Sequence, residues 1–271
     1  MTISDYDLDF SLIGDNAPSV LPSDDMDLLG VATLDPLDPV AVRTYQTFTL
    51  EYTVGLLGID DTGGIRIAWR TVSDAGRVQS AHPQAANYVT ARSTGEGRLV
   101  LNYDKSGGQR PWGEILTIRQ TGGYLRPGEK IIVTLGDTSA GSPGMLMQTF
   151  AQRGREWRVM ADVQATGNFS PLAGGPIYVP VLPGPAVRWR AMTSSLRRPG
   201  EPFILGLKAE DAWGNPTHEA KGRLRLKPNV PVDGLPEEID FQADARAMTL
   251  EGLSVSEPGE VRIKVYLDAE L

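Results

Sequence analysis

A glycine-rich loop, Gly136–Gly144, has the composition of a ligand-binding loop. It follows the strand-like run Lys130–Leu135, so its backbone N–H groups could form an anion-binding concavity, with Asp137 and Ser142 as polar side chains. The loop lacks the Lys-Ser/Thr ending of a phosphate-binding loop and the residue spacing of a nucleophile elbow. The alternative is a structural loop, in which glycines adopt positive φ and Asp137 accepts hydrogen bonds from nearby amides.

Two tryptophans lie in turns, where an aromatic ring can serve as a binding surface. Trp112 and Trp213 each precede a glycine in a segment that also contains a proline. Each ring could stack on a sugar or anchor a protein partner; the alternative is that it caps one end of a β-sandwich. We therefore treat Trp112, Asp137, Ser142 and Trp213 as candidate contacts with a carbohydrate or protein ligand.

The sequence contains no arrangement of residues that is typical of a catalytic or metal site. Its two histidines, His82 and His218, do not stand in HxH, HxxxH or HExxH spacing. The absence of cysteine excludes disulfides, thiolate metal ligands and cysteine nucleophiles. The acidic turns Asp60–Gly64 and Asp104–Gly108 lack the alternating oxygen ligands and terminal Glu of a helix–loop–helix calcium site. We predict no catalytic residue, no metal and no cofactor for this sequence.

The elements that would position these loops are β-strands. Phe203, Leu205, Leu207 and Ala209 occupy every second position, which is the pattern of a strand with one buried face. No segment keeps a helical period over about 12 residues, and frequent Gly and Pro residues punctuate the chain. The sequence therefore predicts an all-β fold. The predicted strands are 47–54, 65–70, 98–103, 115–119, 130–135, 156–163, 177–181, 186–192, 202–210, 222–227, 237–242, 247–251 and 260–267.

The net charge of −8 is concentrated at the amino terminus. Residues 1–42 contain nine Asp and no Lys or Arg, whereas the remainder has 25 acidic and 26 basic residues. We predict an acidic N-terminal arm over residues 1–40, which either docks on its own body or on a partner, or is disordered. Docking is an alternative because the arm carries several apolar residues, namely Tyr6, Leu8, Phe10, Leu12 and Ile13. No basic stripe with interleaved aromatic residues is visible, which argues against nucleic-acid binding.

A Pro/Gly cluster, Leu182–Pro185, marks the expected boundary between two consecutive β-sandwich domains. The first covers residues 41–182. The second covers residues 183–271, and its length and strand spacing suit an immunoglobulin-like sandwich. Because six strands are predicted there, this domain either lacks its last strand, which would leave an open edge, or contains a strand that the pattern does not show.

The sequence gives no indication of a membrane span or of export. No run of about 18 apolar residues is present, and Met1–Asp5 lacks the basic and apolar regions of a signal peptide. Because the absence of cysteine also fits a reducing compartment, we predict a cytoplasmic protein.

Several of these segments resemble the N-terminal, β-rich region of a bacterial family that is labelled only as a domain of unknown function. The resemblance rests on Lys130–Asp137, Gly141–Gly144, Gln148–Ala151 and Asp211–Pro216, and it covers most of residues 45–271. Members of that family place β-rich domains before a metal-dependent hydrolase domain. The hydrolase domain is similar to the polymerase-and-histidinol-phosphatase superfamily and holds its metals with His and acidic residues.

The resemblance implies a function, but this sequence lacks the residues that perform the family's chemistry. The histidine-rich metal motifs have no counterpart here. In such proteins the catalytic domain follows a final strand of the second β domain, whereas this sequence ends at Leu271. We therefore expect a non-catalytic accessory region that packs on or positions a hydrolase domain, in cis or in trans. The alternatives are a self-standing carbohydrate- or protein-binding module, and a hydrolase built from dispersed carboxylates.

Overall fold

The computed structural model describes residues 26–108, 110–217, 222–241 and 247–267. These residues form nineteen β-strands and one helix of four residues, so the prediction of an all-β fold is confirmed. The chain divides into two compact units, Met1–Leu182 and Pro183–Leu271, at the Pro/Gly cluster. Within the described ranges, no helix is long and apolar enough to cross a membrane.

The first unit consists of short strands that follow one another closely along the chain. In chain order the elements are α1 (Met26–Leu29), β1 (Val31–Asp35), β2 (Val40–Ala41), β3 (Tyr45–Gln46), β4 (Phe48–Thr53), β5 (Gly64–Trp69), β6 (Val89–Ser93), β7 (Arg98–Asp104), β8 (Glu114–Thr121), β9 (Lys130–Leu135), β10 (Met145–Leu146), β11 (Gln152–Asp162), β12 (Ser170–Pro171) and β13 (Ile177–Leu182).

Two sheets of the first unit share one apolar core. The strand order is β1-β4-β9-β6 in the smaller sheet and β2-β13-β11-β5-β8-β7 in the larger one, where β12 also pairs with β11. The pairs are antiparallel except for β13 with β2. On β4 every second residue is buried, as the period of two in its sequence requires.

An aromatic cluster joins the two sheets at the centre of this core. The ring of Trp157 lies 4.9 Å from that of Phe48 and 5.4 Å from that of Trp69. Phe48 belongs to the smaller sheet, whereas Trp69 and Trp157 belong to the larger one. Because Trp157 is fully buried, its packing contributes about 3 kcal/mol or more to the stability of the unit.

Residues 31–35 and Val40, which were predicted to belong to the acidic arm, lie in strands of the first unit. Strand β1 pairs with β4 from Val31 opposite Thr53 to Asp35 opposite Thr49. Its residue Leu34 is buried in the apolar core of the first unit. The apolar positions of residues 31–40 are separated by Asp and Pro residues, so no clear period of two was visible in the sequence. Residues 1–25 of the arm lie outside the described residues.

The second unit contains six strands within the described residues. They are β14 (Arg188–Thr193), β15 (Phe203–Glu210), β16 (Gly222–Pro228), β17 (Glu238–Phe241), β18 (Met248–Leu253) and β19 (Ile263–Leu267). They form two antiparallel three-stranded sheets with the orders β14-β15-β18 and β17-β16-β19. Each of the six lies within a few residues of a strand predicted from the sequence.

The core of the second unit is small and incompletely covered. The rings of Trp189 and Phe241 make an edge-on contact at 4.6 Å, which joins β14 of one sheet to β17 of the other. Six of the core side chains are buried, namely Leu205, Leu207, Leu224, Leu226, Phe241 and Leu253. A larger number pack against them while only partly buried, namely Trp189, Phe203, Val232, Leu235, Ile239, Met248, Leu250, Ile263 and Val265.

Candidate functional site

A groove of about 620 Å³ opens between the two sheets of the second unit, and we call it the edge groove. One wall is formed by β14 and β15, and the other by β19 and the segment that precedes it. Residues of the loop 194–201 also line it. Its apolar lining includes Ala191, Phe203, Leu205, Val261 and Ile263.

Along β14, part of the core-facing side of the sheet is exposed in this groove. Residues that face each other across an antiparallel pair share one side of the sheet. Ala191 lies opposite Leu207 and Thr193 lies opposite Leu205, and both leucines are buried in the core. Ala191 and Thr193 are nevertheless exposed. The inner face of the sheet therefore reaches solvent along β14.

Strand β19 forms the opposite side of the groove in the same way. Val265 lies opposite buried Leu226, so Ile263 and Val265 face the interior, but both are only partly buried. Within the described residues, β19 pairs with β16 on one edge and β14 pairs with β15 on one edge, and neither has a strand on its other edge. The groove thus combines an apolar floor with two edges that can form backbone hydrogen bonds.

The charges at the rim have both signs, so the groove carries no strong field. Arg197 lies 3.7 Å from Glu201, and Arg262 forms an ion pair of 2.9 Å with Glu260. An apolar groove with hydrogen-bonding edges can accept an extended peptide segment, which adds a strand while its alternate side chains enter the core.

The described residues do not cluster the side chains that bind metal ions. They contain no group of three or more His, Cys, Asp or Glu side chains that could hold a metal ion. His82 is exposed, and its backbone N–H donates to the Gln79 side chain at 2.8 Å. His218 lies outside the described residues.

The glycine-rich loop Gly136–Gly144 is held by its own hydrogen bonds. One carboxylate oxygen of Asp137 accepts from the Thr90 hydroxyl at 2.6 Å, and the other accepts from the Ser139 N–H at 2.9 Å. These hydrogen bonds lower the pKa of Asp137 below its ordinary value. The buried Ser142 hydroxyl accepts from the Gly144 N–H at 3.2 Å. Both predicted contact residues thus have local structural partners.

Trp112 lies partly buried over a small apolar cluster that includes Ile115 and Phe169. The guanidinium of Arg158 stacks 3.8 Å from the centre of its ring, and that of Arg70 lies 6.0 Å away. Since an arginine occupies one face of the ring, that face is not free to stack on a sugar.

Trp213 is 46 % exposed and lies in the turn of the second unit. Its backbone N–H donates to the buried carboxylate of Asp211 at 2.9 Å, so the turn fixes the backbone and leaves the ring at the surface. Asp137 and Ser142 share one loop, whereas Trp112 lies in a different cluster and Trp213 in the other unit.

The sequence did not predict the residues of the edge groove, although it predicted six strands for the second unit. Its floor comes from β14, β15 and β19, and β19 belongs to the other sheet, so Ala191 and Ile263 line one groove only because the two sheets pack together. The signal available in the sequence was the count of six predicted strands, which indicated either a missing last strand with an open edge or a strand that the pattern does not show. A buried arginine in the first unit, Arg155, was also missed, because the predicted strand began one residue later.

No protein-family model and no curated protein match this chain. Among solved structures, the chain is similar to AvmM, which catalyses macrocyclization in alchivemycin A biosynthesis, with 14% identity and a TM-score of 0.32 over 59% of this chain and 92% of that one. It is also similar to FdeC, a broadly conserved adhesin of Escherichia coli, with 13% identity and a TM-score of 0.20 over 88% of this chain and 60% of that one. Scores this low carry no argument about function.

Proposed function

We propose that this chain is a non-catalytic accessory region that docks on a metal-dependent hydrolase domain, in cis or in trans. The observation that carries the proposal is the edge groove, where two sheet edges and a partly uncovered core meet. An extended strand contributed by the hydrolase domain would fill this groove.

The pairing order supports the addition of one strand at this place. In an immunoglobulin-like sandwich, strand F lies between strands C and G of the same sheet. Strand β19 pairs with β16 in the manner of F with C, and the described residues provide no strand in the position of G. We therefore propose that the second unit is immunoglobulin-like and that its partner supplies the strand equivalent to G.

The energetics of docking are favourable if the added strand is apolar on one face. A segment of about six residues presents about three side chains to the groove, and burial of each contributes about 1.5–3 kcal/mol before the cost of ordering the segment. The same strand would also cover Phe203, Ile263 and Val265, which are partly exposed now. Hydrogen bonds to the free edge of β19 would fix its register.

The resemblance to the β-rich region of a hydrolase family supports the class of partner that we propose. That family's metal-binding histidines belong to a separate domain, and the described residues of this chain hold no such cluster. The predicted absence of nucleic acid and the predicted cytoplasmic location remain expectations of this proposal.

Binding and turnover assays test the two parts of the proposal. We expect the chain alone to show no phosphoesterase or phosphonate hydrolase activity with Mn²⁺ or Zn²⁺, and to form a complex with a co-expressed hydrolase domain of the polymerase-and-histidinol-phosphatase type. Robust metal-dependent turnover by the isolated chain would refute the accessory role.

A matched pair of variants on β14 locates the contact. Ala191→Arg places a long charged side chain on the inner face, whereas Met192→Arg places it on the outer face, where Met192 is 55 % exposed. We expect the first change to weaken complex formation at least about tenfold and the second to change it by less than about twofold. Equal effects of the two variants would contradict docking in the edge groove.

The N-terminal arm of a second copy is a competing occupant that the same assay distinguishes. Tyr6, Leu8, Phe10 and Leu12 stand at every second position, as in a strand with one apolar face. If a variant without residues 1–25 loses self-association and gains hydrolase binding, the arm competes for the groove. If the intact chain self-associates through Ala191 and binds no hydrolase domain, the proposed partner is wrong.

A self-standing carbohydrate- or protein-binding module is the second candidate, and the exposed ring of Trp213 is the observation that favours it. A glycan array with Trp213→Ala and Trp112→Ala variants tests this function. Glycan binding that is lost in Trp213→Ala and kept in Trp112→Ala would support it, since Arg158 already covers one face of the Trp112 ring.

A further inference from the structure

Arg155 of the first unit is a buried cation with unused hydrogen-bonding capacity. Its side chain is 4 % exposed, and its Nη1 donates to Gln148 Oε1 at 2.8 Å and to Ser73 Oγ at 3.2 Å. Its Nε has no hydrogen-bond partner, and no carboxylate of the described residues forms an ion pair with the guanidinium. Buried charges are usually paired, so this arrangement requires an explanation.

A cavity of about 230 Å³ adjoins this arginine, and we call it the Arg155 cavity. Trp69, Val72 and Phe150 supply its apolar lining, and Gln148 lies beside Arg155. Arg155 and Gln148 are buried, whereas Val72 is 77 % exposed, so the cavity leads from the surface to the guanidinium. Mostly apolar lining with a few convergent polar groups is typical of a small-molecule site.

The polar atoms around the cavity favour an anion. Glu156 also lines the cavity, but its carboxylate accepts two hydrogen bonds from Arg158 at 2.8 and 3.0 Å, so its charge is compensated. The Arg155 guanidinium thus remains a lining cation without an ion pair among the described residues.

The charges around Arg155 do not neutralise its guanidinium at close range. Burial lowers the pKa of Arg155 to about 10, while the charges of Glu114 and Asp74 act only from a distance to raise it. Burial also raises the pKa of Glu114, against the opposing effect of the Arg155 and Arg77 charges. A ligand carboxylate could form two parallel hydrogen bonds with the guanidinium and remove the cost of the isolated charge.

We propose that the Arg155 cavity binds a small monocarboxylate whose apolar body packs against Trp69, Val72 and Phe150. Its volume corresponds to about eight water-sized volumes, which suits an acid of the size of benzoate. The cavity lies entirely in the first unit, so this proposal does not depend on the edge groove.

Titration calorimetry with benzoate tests the proposal, with benzamide as the neutral ligand of the same shape. We expect saturable binding of benzoate below about 10 mM and at least about tenfold weaker binding of benzamide. Arg155→Met should abolish the preference for the charged ligand. Equal binding of the two ligands, or no binding of benzoate by the folded protein, would overturn the proposal.

Because Arg155→Met removes a buried side chain, exposed variants at Val72 provide a second measurement. We expect Val72→Lys to strengthen and Val72→Asp to weaken benzoate binding by about twofold each, through the charge placed at the entrance. Val100→Asp is the control, since Val100 is exposed on β7 and does not line the cavity. The assignment of the site is wrong if Val72→Asp and Val100→Asp change the affinity equally.

Discussion

The turn Asp211–Pro216 provides the sharpest test of what holds the second unit together. The carboxylate of Asp211 is fully buried and accepts four hydrogen bonds. One oxygen accepts from the backbone N–H groups of Trp213 and Asn215, each at 2.9 Å. The other accepts from the Gly184 N–H at 2.9 Å and from the Asn215 amide at 2.7 Å. One side chain therefore ties the turn to the segment that enters β14.

Asp211→Ala removes the only acceptor that these donors have in common. Burial alone would raise the pKa of Asp211, but the hydrogen bonds from Asn215, Gly184 and Trp213 outweigh it and hold the pKa below its ordinary value. Each buried donor that loses its partner costs about 1–3 kcal/mol, less where water can enter. We expect the free energy of unfolding of the second unit to fall by about 3–5 kcal/mol, a large part of the stability of a small domain.

Hydrogen exchange measured by mass spectrometry resolves this effect, because it reports on each unit through its own peptides. We expect faster exchange in β15 and β16 of Asp211→Ala and no change in β4 or β9. Asp137→Ala is the matched control in the first unit, where the carboxylate is less buried and accepts from Thr90 and Ser139. A loss below about 1 kcal/mol in Asp211→Ala would refute the assigned role of this carboxylate.

Three further changes test the fold. Glu210→Gln should cost about 1–2 kcal/mol at neutral pH, because hydrogen bonds from Lys208 and two partly exposed arginines lower the pKa of Glu210 to about 2. This difference should shrink as the pH falls from about 4.5 to about 2 in acid-denaturation curves, since the contribution exists only above the folded pKa. Gly64→Ala should prevent stable folding of the first unit, because a Cβ would lie 2.1 Å from the Ile118 carbonyl oxygen. Gly122→Ala, with φ of 73° and open space, should cost only about 1 kcal/mol in urea unfolding.

Each of these expectations has a contrary outcome. A pH-independent difference between Glu210→Gln and the parent protein would show that the cations do not act through the carboxylate charge. Equal stabilities of Gly64→Ala and Gly122→Ala would show that the close approach of β5 to β8 is not constrained at Gly64.

The all-β class and the long strands could be predicted from the sequence because they depend on local alternation. In β15, Leu205, Leu207 and Ala209 are buried as the period of two indicated. The two-residue strands β2, β3, β10 and β12 are too short to show a period. Their pairing is decided by the strands beside them, as with Val40 opposite Val181. Strand β6 was missed because its residues include Thr90 and Arg92, which weaken the apolar pattern.

The candidate sites could be predicted less well, because burial and edge pairing are properties of the assembled sheets. Arg155 is charged, and its sequence neighbours indicate neither the register shift between Gln152 and Arg155 nor the burial of Arg155 in the first unit. Asp137 and Ser142 lie in a loop whose composition is typical of ligand sites. In the structure, Asp137 accepts hydrogen bonds from Thr90 and Ser139, and Ser142 accepts one from Gly144. The composition of the loop indicated side chains that can form hydrogen bonds, and the fold determined which partners they bond to.

The incomplete core of the second unit links its stability to its proposed partner. The first unit buries Trp157 and its neighbours completely, whereas Phe203, Ile263 and Val265 of the second unit remain partly exposed beside the edge groove. A strand that docks there would bury apolar surface on both partners, so the gain appears as binding and as stability of the second unit. Docking should therefore raise the midpoint of unfolding of this unit with the logarithm of partner concentration once that concentration exceeds the Kd. If the proposed function is correct, folding of the second unit would be coupled to assembly with the hydrolase domain.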